Sequence, residues 1–497
     1  MNRNILDAVV VGTGFAGLCS AIKLRQAGLT FKVIEKDSGV GGVWRANTYP
    51  GAQCDVQSHL YSFSFEQNPN WSRTFGEQKE ILAYLENCAY KYGINPHIQF
   101  NTSVTEVRWD EELKLWQIKT DKKDTYLART FFLASGGLSQ PLDPDIKGLD
   151  KFKGNLFHSA RWDHSVDLRD KEVSIIGSAA SAIQIIPEIA KKVKKLNVFQ
   201  RTANWVIPKH DVAYTGLEKT LFSLFPPSLW ASREAIYWQL EWRALAFVYF
   251  PQLMQAYQEW AKRHILSTVK NRTLAEKLIP NYTIGCKRIL LSNTYYETLQ
   301  RPNVQLVTEG IQEIDAQGIL TNDGKRHDSD VIITATGFKI ADGLVPFEII
   351  GKNGISLNES WKNGPEAYLG TTIKGFPNLF MIVGPNTGLG HNSMVYMIEA
   401  QVHYAMKALE FMRDKNVASI EVRPQIQDSY NKEIQTKLQK SVWNTGGCNS
   451  WYKNKEGKNV TLWPGFTFEF KNKTDSFNHE DYLVERKSAV ISEYQRN

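Results

Sequence analysis

Leu6-Asp-Ala-Val-Val-Val-Gly12-Thr-Gly14-Phe-Ala-Gly17 is the stretch on which the fold turns. Residues 6–11 are a short, almost continuous apolar run, the pattern of a parallel strand buried on both faces. The glycine-rich turn leads into a helical pattern through Leu18, Ile22 and Leu24. Phe31-Lys-Val-Ile-Glu35 follows as a second strand that ends on an acid. Each glycine has its own task. Gly12 permits the tight turn, Gly14 lets the backbone approach a pyrophosphate, and Gly17 lets helix and strand pack closely. The helix N-terminus, with Phe15 and Ala16 in its first turn, faces the phosphates, and Glu35 is placed to accept from a ribose hydroxyl. Strand, helix and acid in register predict a dinucleotide-binding βαβ unit.

A second unit begins at Lys171-Glu-Val-Ser-Ile-Ile176. Its turn is Gly177-Ser178-Ala179-Ala180-Ser181-Ala182, followed by a helix to about Lys194 and the strand Leu196-Asn-Val-Phe-Gln-Arg201. Alanine replaces the second and third glycines. Ala182 only thickens helix packing, whereas Ala179 puts a methyl where a phosphate approaches. In place of Glu35 this unit has Arg201 followed by Thr202, and a cation there suits the 2′-phosphate of NADP. Gly177, Ser178, Ala180, Ser181, Gln184, Arg201 and Thr202 are therefore the NADP candidates. Lys191, Lys192, Lys194 and Lys195 read as a solvated helix face.

Two such units predict an α/β chain with two Rossmann-like dinucleotide-binding domains and a helical insert, serving a flavin and a nicotinamide. Residues 1–145 form the first part of an FAD-binding domain and 146–211 the first part of an NADP-binding domain. Residues 212–280 form an aromatic, helical insert. Residues 281–375 complete the NADP domain, and 376–497 complete the FAD domain and add a C-terminal segment. Val331-Ile-Ile-Thr-Ala-Thr336-Gly337 and Phe131-Phe-Leu-Ala-Ser-Gly136-Gly137 read as counterpart strand-and-turn segments. Leu379 to Val383 reads as a strand and Met394 to Met412 as a helix. The polar tail after Phe468 is expected at the surface.

Composition narrows the function. The chain has 497 residues, 42% hydrophobic and 22% charged, with a net charge of +7. These values fit a soluble globular protein and exclude a disordered chain. A nucleic-acid binder has a denser basic patch. The uncharged stretch from Gly375 to Ile398 carries Pro377, Pro385, Gly388 and Gly390, which argues against a membrane span. Cys19, Cys54, Cys88, Cys286 and Cys448 are widely spaced and include no CxxC. That pattern disfavours a disulfide framework, a redox dithiol and a metal site, and predicts reduced thiols in a cytoplasmic protein.

Three spaced motifs resemble those of the type I Baeyer–Villiger monooxygenases, within the flavin-containing monooxygenase superfamily. Phe152-Lys-Gly154-Asn-Leu-Phe-His158-Ser-Ala-Arg-Trp162-Asp163 matches the family fingerprint and lies just before the second turn. Gly41-Gly42-Val43-Trp44-Arg-Ala-Asn-Thr48-Tyr49-Pro50-Gly51-Ala-Gln-Cys-Asp55 is the second motif, and Gly384-Pro-Asn-Thr-Gly-Leu-Gly-His391-Asn-Ser the third. Trp443-Asn-Thr-Gly-Gly-Cys-Asn-Ser-Trp451-Tyr452 and Leu462-Trp463-Pro-Gly look like the hydroxyacetophenone-monooxygenase-like branch. The resemblance spans nearly the whole chain.

The resemblance implies an FAD enzyme that consumes NADPH and inserts one atom of O2 into a ketone through a C4a-peroxyflavin, giving an ester or lactone. It implies Arg288 as the catalytic cation, from the context Lys287-Arg288-Ile-Leu-Leu-Ser-Asn-Thr-Tyr295-Tyr296, with Asp55 as its carboxylate partner. Lys287 joins Arg201 on the 2′-phosphate. Gly42, Val43, Trp44, Asp55, Tyr61 and Met394 line the flavin. His158 sits in a linker rather than at the flavin and holds that linker in position between cofactor states. Thr48 and Ala179 depart from the family pattern. Two other readings stand beside this one: a flavin monooxygenase oxidising nitrogen or sulfur, which needs no cation on the carbonyl side, and an uncoupled NADPH oxidase. The partners expected are a small ketone and O2, with no nucleic acid.

Overall fold

The computed structural model describes residues 5–138, 140–339 and 345–487. The first unit forms as the sequence reading requires: β1 (Ile5–Val11), α1 (Phe15–Gln26) and β2 (Phe31–Ile34). β1 pairs in parallel with β2 on one side and with Thr125–Leu133 on the other. The alternation within β1 explains its apolar run. Ala8 and Val10 enter the large core shared with α1, while Val9 and Val11 enter a second core with Trp109, Trp116, Phe131 and Phe376. Both faces are covered, so no polar face is needed.

Around this centre the sheet runs Glu348–Ile350, Val104–Asp110, Leu115–Thr120, Thr125–Leu133, β1, β2, Ile98–Gln99, and Leu379–Met381 also pairs with Thr125–Leu133. The second sheet is parallel throughout. Its order is Val304–Val307, β4 (Lys195–Phe199), β3 (Glu172–Ile176), Val331–Thr334, Asn155–His158. Helix α2 (Ala180–Ile189) follows β3. It ends short of the expected Lys194. Pro187 lies in its last turn, and beyond Ile189 the chain leaves the helix so that the Lys194 N–H reaches Lys171 O at 3.0 Å.

The stretch 212–280 is helical, with Gly216–Leu224, α3 (Pro226–Glu241), α4 (Leu253–Thr268) and Arg272–Leu278. α5 (Met394–Asp414) is the longest helix among the described residues. Among those residues no helix is long and apolar enough to cross a membrane.

Two expectations need correction. The tail beyond Phe468 is not simply surface. Phe470 is fully buried, and Tyr482–Arg486 pairs antiparallel with Val417–Val422, with Tyr482 in the core. Sparse apolar residues anchored it where the net polarity suggested none. The cysteines are not all reduced: Cys286 and Cys448 form a disulfide, while Cys19, Cys54 and Cys88 are buried thiols. Linear spacing carried no signal, because the partners come from segments 162 positions apart that meet only in the folded chain.

Candidate active site

The glycines of the first turn are needed for reasons the backbone shows. Gly12 has φ +102°, and a Cβ there would stand 2.5 Å from Ala134 O. A Cβ on Gly17 would stand 1.9 Å from Gly12 O, which is the close helix–strand contact expected of that position. Gly42, at φ +54°, faces Gly14, and a Cβ on it would meet Gly14 Cα at 2.9 Å. Gly14 is the N-cap of α1. No side chain caps that end and its first turn carries no acid, so its N–H groups are left for an anion. The cradle fits a pyrophosphate. Glu35 is buried and accepts from Thr13 N at 2.8 Å, Thr13 Oγ1 at 2.6 Å and Asp37 N at 2.9 Å. Those bonds fix its carboxylate at the turn. With about four lone-pair sites, it retains room for one ribose hydroxyl.

Beside this cradle, Val43 opens the one-turn helix Val43–Ala46. Trp44 Nε1 donates to the Tyr61 hydroxyl at 3.2 Å, and Phe15 packs edge-on to Tyr61 at 5.1 Å. Met394 begins α5, where the Ser393 hydroxyl accepts from Val395 N. Thr48 meets His164 Nε2 at 2.8 Å.

The second turn resembles the first in its backbone. Gly177 sits at φ +121° against Ala335 O, so glycine is required there. Ala179 adopts φ −91°, ψ −159°, close to the −72°, −171° of Gly14, a conformation open to any residue. It is exposed, and α2 again starts without a side-chain cap or an acid. Arg201 and Lys287 come close enough for the charge of Arg201, together with burial, to lower Lys287. Lys287 lies 4.9 Å over the Tyr282 ring. Two cations held together, with no carboxylate between them among the described residues, suit a phosphate. The Ser178 hydroxyl donates to Thr202 O at 3.2 Å, binding the turn to the end of β4. The Gln184 amide donates to Gln53 O at 2.9 Å and accepts from Tyr49 at 3.0 Å, tying α2 to the 48–55 loop.

The fingerprint lies at the edge of the second sheet. Gly154 is needed because a Cβ would stand 2.3 Å from Asp330 O, and Phe152 is buried beside it. His158 is the last residue of the strand Asn155–His158. Its Nδ1 accepts from Ala160 N at 3.0 Å, and burial lowers its basicity. Trp162 packs on Phe157, and Asp163 accepts from Ser165 N and Oγ in a local turn.

Arg288 and Asp55 do meet. Arg288 Nε donates to Asp55 Oδ2 at 2.6 Å and Nη2 donates to Oδ1 at 2.7 Å, a two-pronged pair. Arg288 precedes Leu290–Leu291, which pairs with Val206–Ile207. Lys209, after that strand, reaches Cys54 O at 3.1 Å and Gln53 Oε1 at 2.6 Å. Burial pushes the Asp55 carboxyl up, but the charge and bonds of Arg288, with Lys209 behind, hold it below the ordinary range. Asp55 in turn raises Arg288, against the effect of burial. Each therefore favours the charged form of the other. Their side chains remain 38% and 30% exposed, opening on a cavity of about 310 Å³. That cavity also has Ile207, Leu240, Phe247, Met254, Leu389 and His391 in its wall.

Several residues here escaped the reading of the sequence. Lys209 and Arg243 carry no local motif. Tyr452, in the C-terminal motif, is buried near Arg288 with no partner for its hydroxyl among the described residues, and burial pushes that hydroxyl up to about 12. The Cys286–Cys448 disulfide fastens that motif beside Lys287 and Arg288.

Comparison with known proteins gives the family. A family described as pyridine nucleotide-disulphide oxidoreductase matches residues 9–218, which include both dinucleotide turns. A Baeyer-Villiger monooxygenase of Pseudomonas aeruginosa is 48% identical, covering 98% of this chain and 93% of that protein. One from Streptomyces coelicolor is 44% identical, covering 96% and 92%. Among solved structures, oxidized steroid monooxygenase bound to NADP superposes with a TM-score of 0.87 at 34% identity, covering 97% of this chain and all of that one. The OTEMO complex with FAD and NADP gives 0.88 at 30%, also covering 97% of this chain and 100% of that one. The chain belongs to the Baeyer–Villiger monooxygenase family, whose members are FAD- and NADPH-dependent monooxygenases.

Proposed function

We propose that the protein inserts one oxygen atom of O2 into a ketone, with Arg288 as the catalytic cation and Asp55 as the group that aims it. The overall balance is ketone, O2, NADPH and a proton giving ester or lactone, water and NADP+. The observation that carries the assignment is the two-pronged Arg288–Asp55 pair facing the cavity. The bound FAD and NADPH supply electron transfer and oxygen activation. The protein's own part is electrostatic. As oxygen adds to the carbonyl, negative charge develops on the former carbonyl oxygen. A guanidinium fixed in advance stabilises that charge without reorganising. Arginine stays protonated throughout, and Asp55 holds its plane.

Gly12, Gly14, Gly42 and the open end of α1 would hold the FAD pyrophosphate, with Glu35 on the ribose. Gly177, Ser178 and the start of α2 would take the NADP pyrophosphate, with Arg201 and Lys287 on the 2′-phosphate. Oxidation of nitrogen or sulfur leaves no role for a cation beside a carbonyl, so the pair favours the ketone. The reaction draws on the cytoplasmic NADPH pool, which is the location we assign. The test is a panel of aryl and aliphatic ketones, read by mass spectrometry for products heavier by one oxygen. Conversion of amines or sulfides but of no ketone overturns the reading.

A further inference from the structure

The cavity holds one positive charge more than its chemistry so far uses. Arg243 lines it together with Arg288 and Asp55. It stands two residues beyond the end of α3, is solvent-accessible, and has no hydrogen bond or ion pair among the described residues. The nearby acids are spent. Both oxygens of Asp55 are on Arg288. Glu241 is fully buried and accepts from Thr467 N, Thr467 Oγ1, Phe468 N and Asn392 Nδ2. Independently, His391 in the same wall is 4% exposed, and among the described residues neither of its ring nitrogens has a partner. Burial first, then the charge of Arg243, pushes His391 down to about 3, so it is neutral and adds no compensating charge. An unpaired guanidinium and an unpartnered imidazole therefore face one cavity whose remaining wall is largely apolar: Ile207, Leu240, Phe247, Met254 and Leu389.

Resting on the ketone reading above, we infer that Arg243 selects the substrate: the site takes oxo acids, with the ketone toward Arg288, a carboxylate on Arg243 and hydrocarbon along the apolar wall between them. A planar guanidinium matches a carboxylate with two parallel bonds. A cavity of about 310 Å³ suits a small chain rather than a bulky anion.

The test uses the FAD-loaded protein without NADPH, so that binding is read apart from turnover. Straight-chain methyl-ketone acids of increasing length, and their methyl esters, are titrated while the flavin absorbance is followed. The acids should bind roughly tenfold to a hundredfold more tightly than the matching esters. Arg243→Gln should remove that preference, and Arg243→Lys should keep part of it, which separates loss of charge from loss of fold. Equal binding of acid and ester by the parent protein overturns the inference. So does an Arg243→Gln protein that keeps the preference, or one that loosens NADP+ instead of the acids. The two proposals fail separately. Acids that bind through Arg243 but are never oxygenated defeat the ketone reaction and uphold this inference. Simple ketones that are oxygenated with no preference for acids defeat this inference alone.

Discussion

Arg201 and Lys287 illustrate how far single residues decide the behaviour of this enzyme. Neither has a carboxylate partner among the described residues, so an anion would relieve their mutual repulsion. Arg201→Ala should therefore narrow the NADPH-over-NADH preference. A charge-assisted contact to phosphate is worth about 1.5–3 kcal/mol, so roughly tenfold to a hundredfold can disappear in steady-state kinetics with the two coenzymes. Equal use of both coenzymes by the parent protein contradicts the assignment. The charged pair at the cavity makes a prediction about pH. Asp55 is lowered relative to an unfolded value of about 3.9, so its contribution is present above that value and fades as pH falls through the folded one. Arg288 is raised, so its contribution is present at every pH below the unfolded arginine value. His391, at about 3, stays neutral. Ester formation should show no limb from these groups between about pH 6 and 9. A limb in that window that disappears in His391→Asn contradicts the account. Of the residues involved, Arg288 and Asp55 were legible only through resemblance, because Lys-Arg before an apolar stretch is an ordinary surface pattern. Arg243 left no trace at all, since its meaning comes from the acids around it being used elsewhere.

At the scale of elements, the first βαβ unit was legible nearly residue by residue. Its strands are buried on both faces, and at Gly12 and Gly17 its turn leaves room only for glycine. Gly17→Ala would place a methyl 1.9 Å from Gly12 O and push α1 off β1. The purified variant should carry far less FAD than the parent, read as the ratio of flavin to protein absorbance. Full flavin loading would show that the contact can relax. The end of α2 was misread because Ala190 to Lys195 has helical composition but is drawn off by backbone bonds to Lys171. The disulfide was illegible for a different reason: residues 286 and 448 become neighbours only after the C-terminal segment has packed. Thiol labelling of the denatured, unreduced protein should therefore find three thiols, at Cys19, Cys54 and Cys88, and find five after reduction. Cys448→Ser should lower the thermal midpoint, since a long cross-linked loop contributes about 2–4 kcal/mol. Five reactive thiols before reduction would remove the cross-link from the account.

For the whole molecule, the sheets, the insert and the C-terminal segment bring together residues that lie far apart in the chain. Asp55 comes from the loop after the first unit, Arg288 from beyond the insert, and Arg243 from within it. This convergence is why the fold class could be read from local patterns while the cavity could not. On the proposed assignment, flavin reduction needs only the two nucleotide sites and oxygen insertion the Arg288–Asp55 pair, so the two should separate by mutation. Asp55→Ala should resemble a milder loss, because the arginine keeps its charge but not its orientation. Arg288→Lys should restore little, because a point charge lacks the planar fork. The most direct test is product formation by FAD-loaded Arg288→Ala under labelled O2, with NADPH consumption and hydrogen peroxide followed together. Loss of such an electrostatic group costs about 2.7–4 kcal/mol, or roughly a hundredfold to a thousandfold in rate. The account predicts that labelled ester nearly vanishes while NADPH is still consumed and peroxide is released. Labelled ester formed at the parent rate by that folded variant would contradict it.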